Sequence, residues 1–109
     1  MLNNLICPKT KEQILLYLAG RNQGYAREIA EYYKTSLSPI QNQLTLLENA
    51  GIIYGSSIGR TIVFRLNPRY TFYKELTALL ERALEFLPVN EKEQLLMNRK
   101  RPRKRSKPL

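Results

Sequence analysis

The order of apolar and polar positions predicts three short helices, a β-hairpin and a longer helix. In the first helix Ile14, Leu15 and Leu18 mark one face. Thr10 is placed to cap it, with Gln13 three residues on in the capping-box spacing, and Gly20 falls where a C-terminal stop is expected. Asn22-Gln23-Gly24 reads as a turn. Tyr25 to Tyr33 makes a second helix with Ala26, Ile29 and Ala30 inward, and Lys34-Thr35 turns the chain into a third. That helix, 36–50, has Ser36 as its N-cap and Gly51 as its stop, and Ile40, Leu44 and Leu47 fall at i, i+4 and i+7 on one buried stripe. Pro39 is its third helical residue, inside the first turn, where the missing N–H breaks no intrahelical bond. Ile52-Ile53-Tyr54 and Thr61 to Leu66 read as two strands joined by a Gly-bounded loop, Gly55 to Arg60. In the second strand Ile62, Phe64 and Leu66 alternate with Val63 and Arg65, the period of a half-buried strand. Asn67-Pro68-Arg69 breaks the strand. From Tyr70 to about Leu87 runs a helix with Phe72, Leu76, Leu79, Leu80, Ala83, Leu84 and Leu87 on a broad apolar stripe, ended by Pro88. Asn90 can cap a short amphipathic segment, Glu91 to Asn98.

The third helix is the most informative element. Away from its buried stripe stand Ser38, Gln41, Asn42 and Thr45, all polar and uncharged. An ordinary solvated face would hold Lys and Glu, whereas these side chains carry the donors and acceptors that fit base edges. Helix, glycine stop and hairpin in that order predict a mainly α fold with a small β-hairpin, a winged helix-turn-helix carrying a C-terminal dimerisation helix, and its expected partner is double-stranded DNA. Ser38, Gln41, Asn42 and Thr45 are then the base readers in the major groove. Gln41 or Asn42 can pair bidentately with adenine, and with no Arg on the helix bidentate recognition of guanine is not expected. Tyr25, Arg27 and Lys34 around the turn, and Ser56, Ser57 and Arg60 on the wing at 55–60, are candidates for the phosphate backbone. One small body cannot easily bury the whole stripe of helix 70–87, so Phe72, Tyr73, Leu76, Leu80, Leu84 and Leu87 are expected to form a homodimer interface. The chain then divides into a lead-in (1–9), a DNA-binding domain (10–69), a helical dimerisation segment (70–98) and a basic tail (99–109).

Composition narrows the chemistry. The 109 residues are 43% hydrophobic, enough for one globular domain, and no apolar run approaches the ~20 residues of a membrane span. The first ten residues lack the basic start and long apolar region of a signal peptide. Cys7 is the single cysteine, histidine is absent and all nine acids are scattered glutamates, so no intrachain disulfide can form and no metal or cofactor is expected. Catalysis would have to rest on Glu, Lys or Tyr, and no spacing gathers several of them; an enzyme is not expected. Of the net charge of +9, seven charges sit on Arg99, Lys100, Arg101, Arg103, Lys104, Arg105 and Lys107, leaving +2 over residues 1–98. With its two prolines this tail has the composition of a disordered end and suits a polyanion, nucleic acid before membrane.

Over residues 9–87 the chain resembles the winged-helix regulators of the ArsR type. The resemblance rests on Ser36-x-Ser38-x-Ile40-x-x-x-Leu44-x-x-Leu47-Glu48-x-Ala50-Gly51-Ile52-Ile53 and on the wing Gly59-Arg60-Thr61-Ile62-Val63-Phe64-Arg65-Leu66-Asn67-Pro68. It implies a dimeric prokaryotic transcriptional regulator of the cytoplasm, usually a repressor, whose terminal helices make the dimer. Metal-sensing members use cysteine pairs or His and carboxylate clusters, which this chain lacks, so metal sensing is not carried over. The join Asn67-Pro68-Arg69-Tyr70 also resembles winged helices paired with nucleotidyltransferase-like proteins. Two other functions stay open on the sequence: an antitoxin-like module that binds a partner enzyme through helix 70–87, and a sequence-blind DNA- or RNA-binding protein dominated by its tail.

Overall fold

A computed structural model of the chain describes residues 5–96. The basic tail, expected to contact nucleic acid, lies outside the described residues. Five helices and one antiparallel hairpin follow in the order α1 (Lys9–Arg21), α2 (Ala26–Tyr32), α3 (Leu37–Asn49), β1 (Ile53–Ile58), β2 (Thr61–Leu66), α4 (Tyr73–Glu85) and α5 (Val89–Leu95).

Helix α1 is the axle of the core. Every residue from Ile14 to Gly20 is buried, because α3, α4, β2 and α5 all pack on it. The single apolar face expected from Ile14, Leu15 and Leu18 is thus only part of a helix enclosed on all sides. The start also differs. Pro8 occupies the N-cap and Thr10 sits inside the first turn, so no side-chain cap forms. Gly20 does not stop the helix. It lies one residue before its end, and a Cβ there would stand 2.9 Å from Leu95 Cβ and 3.0 Å from the Leu95 carbonyl oxygen. Its lack of a side chain is what lets α5 approach. The stop falls at Asn22, which takes the left-handed conformation (φ 76°) while its N–H donates to the Leu18 carbonyl.

Two Schellman closures set α3 in place. After α2, Lys34 adopts φ 55°, its N–H donates to Glu31 O at 3.2 Å, and Thr35 N–H donates to Ala30 O at 3.0 Å. After α3, Gly51 (φ 79°) and Ile52 repeat the pattern onto Glu48 O and Leu47 O. Ser36 is the N-cap of α3 as expected, though its hydroxyl makes no capping bond, and Pro39 is the third helical residue. Ile40, Leu44 and Leu47 form the buried stripe.

The hairpin departs from the expected loop. Strand β1 runs straight through Gly55, Ser56 and Ser57 to Ile58, which pairs with Thr61, so the turn is only Gly59-Arg60. Gly59 takes φ 62°, the glycine-first form of a two-residue hairpin turn. Gly55 is a close-approach position instead: a Cβ there would meet Ile62 Cγ2 at 2.8 Å and the Phe64 ring at 3.1 Å. Simple alternation in β2 also fails. Val63 and Phe64 are both buried while Ile62 is half exposed, and Gly24 bridges to Phe64 through backbone hydrogen bonds of 3.1 and 2.7 Å.

Helix α4 is shorter than 70–87. Phe72 is its N-cap and Phe86 its C-cap. Leu80 and Leu84, expected in a dimer interface, are 0% and 2% exposed inside the chain's own core beside Ala83. Leu76 and Leu87 are partly buried against the same core, so the inner side of the stripe is satisfied within one chain. What remains outside is Phe72, Phe86 and Val89 at 59%, 67% and 71% exposure. The short segment expected at 91–98 is α5, beginning two residues earlier behind Pro88.

An aromatic cluster ties α1, α2 and α5 together. Tyr17, Tyr32 and Tyr33 meet edge to face, with ring centroids 5.4, 6.4 and 4.7 Å apart. The Arg21 guanidinium lies 5.1 Å over Tyr17 and 5.5 Å over Tyr32, and its Nε donates to the Gln94 carbonyl at 3.0 Å. Burial raises all three phenols above the ordinary range, reinforced by Glu28 at Tyr17 and by Glu91 at Tyr32 and, after Tyr32 itself, at Tyr33. A phenol raised on folding favours the folded state fully below the unfolded value of about 10, and that contribution is lost as pH rises through the folded value. In an ultraviolet titration of the folded chain, these three tyrosines are expected to ionise above the ordinary phenol value of about 10, with stability falling above that pH. A single transition for all seven near that pH would contradict the cluster.

Candidate nucleic-acid interface

Three elements converge on one open groove of about 750 Å³. The start of α2 contributes Tyr25, Ala26 and Arg27; α3 contributes Leu37, Gln41, Leu44, Thr45 and Glu48; the wing contributes Arg60, Thr61, Ile62 and Phe64. Five residues singled out in the sequence, Tyr25, Arg27, Gln41, Thr45 and Arg60, therefore share one concave surface although they span 36 positions of chain. Helical geometry explains the grouping. Ile40, Leu44 and Leu47 face the core; Gln41 and Glu48 lie on the flank toward the wing; Ser38, Asn42 and Asn49 point away from the core, and Thr45 sits between these two sets.

Not every candidate joins the groove. Ser38 and Asn42 are exposed on the outer face of α3, beside the groove rather than in it. Ser56 and Ser57 belong to the paired strand β1, opposite Val63 and Ile62, so they are not at the wing tip. Lys34 is exposed at the turn before α3, where its left-handed backbone helps close α2.

The side chains are not equally available. Thr45 Oγ1 donates back to the Gln41 carbonyl at 3.0 Å, which occupies its proton and leaves its lone pairs and methyl group for the groove. Arg60 sits exposed in the two-residue turn beyond the last strand pair, at the rim of the groove. Arg65 differs: its guanidinium donates to Gln23 Oε1, bracing the wing against the turn before α2. Sequence reasoning missed Glu48 and Ile62 as groove residues and exposed Leu46 on the far flank of α3. The signal for Leu46 was present, since it is an apolar residue off the buried stripe.

The α3 helix and the hairpin behind it make this a winged-helix fold. No family model and no curated protein sequence matches the chain. Among solved structures, it is similar to a mutant of Lactococcus lactis ZitR in apo form, at 25% identity over 71% of this chain and 61% of that one, with a TM-score of 0.55. It is also similar to Bacillus subtilis YusO at 22% identity over 78% of this chain and 66% of that one, TM-score 0.54. Wild-type ZitR in complex with DNA gives 19% identity over 84% and 70%, TM-score 0.54. ZitR is described as a zinc-responsive MarR family member. The chain thus spans about three fifths to seven tenths of the length of these proteins, and the shared feature is the winged-helix fold rather than the ArsR subtype. Zinc does not fit the residues here. Histidine is absent, Cys7 stands alone, and among the described residues no group of three metal-ligating side chains forms. No described helix is long and apolar enough to cross a membrane.

Proposed function

We propose that this protein is a sequence-specific regulator that binds double-stranded DNA, with α3 in the major groove. The observation that carries this reading is the groove itself, where Gln41 and Thr45 of a helix without Lys or Arg meet Arg27 and Arg60. In that arrangement Gln41, Asn42, Thr45 and Ser38 read base edges, while Tyr25, Arg27 and Arg60 hold phosphates and fix register. Lys34 is a further backbone contact beside the turn, and the seven tail cations add a sequence-blind attraction. The likeness to ZitR, solved in complex with DNA, supports the partner, and ZitR's place in the MarR family favours a general winged-helix regulator over the ArsR subtype.

The dimer is part of the proposal. Phe72, Phe86 and Val89 form the exposed apolar end surfaces of α4 and the start of α5, and a second copy would cover them. Two reading heads would then lie about one helical turn, roughly 34 Å, apart on a pseudo-palindrome, so residues 10–69 read and residues 70–98 pair. Regulation follows from occupancy, and repression is the direction that occlusion of a promoter gives.

The test is fluorescence anisotropy with the DNA upstream of the protein's own gene and a scrambled duplex across a salt series, for the full chain and a 1–98 truncation. The proposal expects a preference for the upstream duplex that survives truncation, with a shallower salt slope once the tail is gone. Equal binding of both duplexes that disappears with the tail would favour the sequence-blind polyanion reading instead.

A further inference from the structure

Resting on the reading of α3 as the major-groove helix, we infer that the interface selects duplex DNA by the C5-methyl groups of thymine, read by the Thr45 methyl group and the side chain of Ile62. The preferred sites are therefore A·T-rich at the positions facing this groove.

Three observations carry the inference. Helix α3, Leu37–Asn49, holds no Lys or Arg, so the donor pair that reads guanine O6 and N7 is absent from it. Its central reader, Thr45, is not free to act as a hydroxyl donor: Oγ1 is turned back to the Gln41 carbonyl at 3.0 Å. With the hydroxyl proton committed to that bond, the methyl group is the part of Thr45 left for apolar contact in the groove it lines.

The wing supplies the second apolar surface. Ile62 lines the same groove as Gln41 and Thr45, and half of its surface is exposed. Its Cγ2 rests in the gap left by Gly55, where any Cβ would stand 2.8 Å away. The glycine therefore seats Ile62 while the rest of its side chain faces the groove. Exposed Leu46 extends the apolar character along the other flank of α3. Thymine is the base that presents a methyl group in the major groove, and apolar contact is how side chains recognise it. Gln41 beside Thr45 complements this by offering an amide to the adenine N6 and N7 edge. Glu48, the one charged residue on α3, faces the groove and disfavours a phosphate there, which keeps this surface for bases.

The experiment enriches duplexes from a random library with the full chain, then replaces each enriched thymine in turn by deoxyuridine, which removes only the methyl group. Enrichment of A·T pairs is expected, with about fourfold weaker binding at each read thymine, the equivalent of roughly 0.8 kcal/mol for one buried methyl group. Thr45→Ser keeps the bond to the Gln41 carbonyl and deletes the methyl group. It should bind thymine and deoxyuridine sites equally at one position while matching wild type on the deoxyuridine site. Thr45→Val should retain the thymine preference, and Ile62→Ala should lose it at a second position. Enriched sites rich in G·C pairs, or wild-type binding indifferent to deoxyuridine, would overturn this inference and leave the regulator reading standing. A library that enriches nothing would overturn the sequence-specific reading and this inference with it.

Discussion

Replacing Leu80 by alanine is expected to destabilise the folded chain by about 2–5 kcal/mol, the range for deleting a leucine from a packed core. The side chain is fully enclosed, and the helix that carries it packs on α1. The loss should be the same at low and high protein concentration, because the cavity opens inside one chain. Phe86→Ser behaves in the opposite way. Its ring is mostly exposed and rests beside the Arg82 guanidinium at 5.6 Å, so the substitution leaves the monomer's core intact. If a second copy covers this surface, the variant should shift self-association to higher concentration by about tenfold or more, corresponding to roughly 1.4 kcal/mol or more of lost burial. Urea unfolding with sedimentation measures both. A Leu80→Ala penalty that grows on dilution would return Leu80 to an interface, and an unchanged assembly in Phe86→Ser would remove Phe86 from one.

The second large effect concerns reading. Gln41→Ala and Asn42→Ala should each reduce discrimination between the preferred duplex and a scrambled one by about 1–3 kcal/mol, with little change in binding to the scrambled duplex. Both side chains are exposed and neither supports the core, so folding should not change. Arg60→Ala should weaken all duplexes alike and lower the salt slope by about one contact's worth, because a guanidinium at the wing tip reads charge rather than sequence. Equal losses on every duplex from the two helix substitutions would mean that α3 holds the backbone and another element reads.

The parts of the fold that follow local rules were readable in the sequence. Ile40, Leu44, Leu47 and Gly51 specify α3 because burial period and left-handed stop agree. The wing turn was not readable, because Gly55 carries the same letter as a turn glycine but serves close approach to Ile62 and Phe64. Gly20 misleads in the same way, since its partner Leu95 lies far along the chain. Periodicity grouped Leu80 and Leu84 with Phe72 on one stripe. It cannot tell how wide a stripe one chain covers, so residues of the core and of the outer surface merged into one expected interface. Of the site, the residues on α3 and the arginines could be named beforehand. Their convergence with Glu48 and Ile62 depends on how the hairpin folds back over α3, which no local pattern encodes.

The most direct test of the central claim is an amide and side-chain NMR titration of the full chain with an enriched duplex. The account predicts that perturbations gather on Tyr25 to Arg27, on Ser38, Gln41, Asn42 and Thr45, and on Gly59 to Ile62, leaving Phe72 and Phe86 unmoved by DNA at constant oligomeric state. Perturbations confined to the exposed ends of α4, or to residues 99–109 alone, would contradict it.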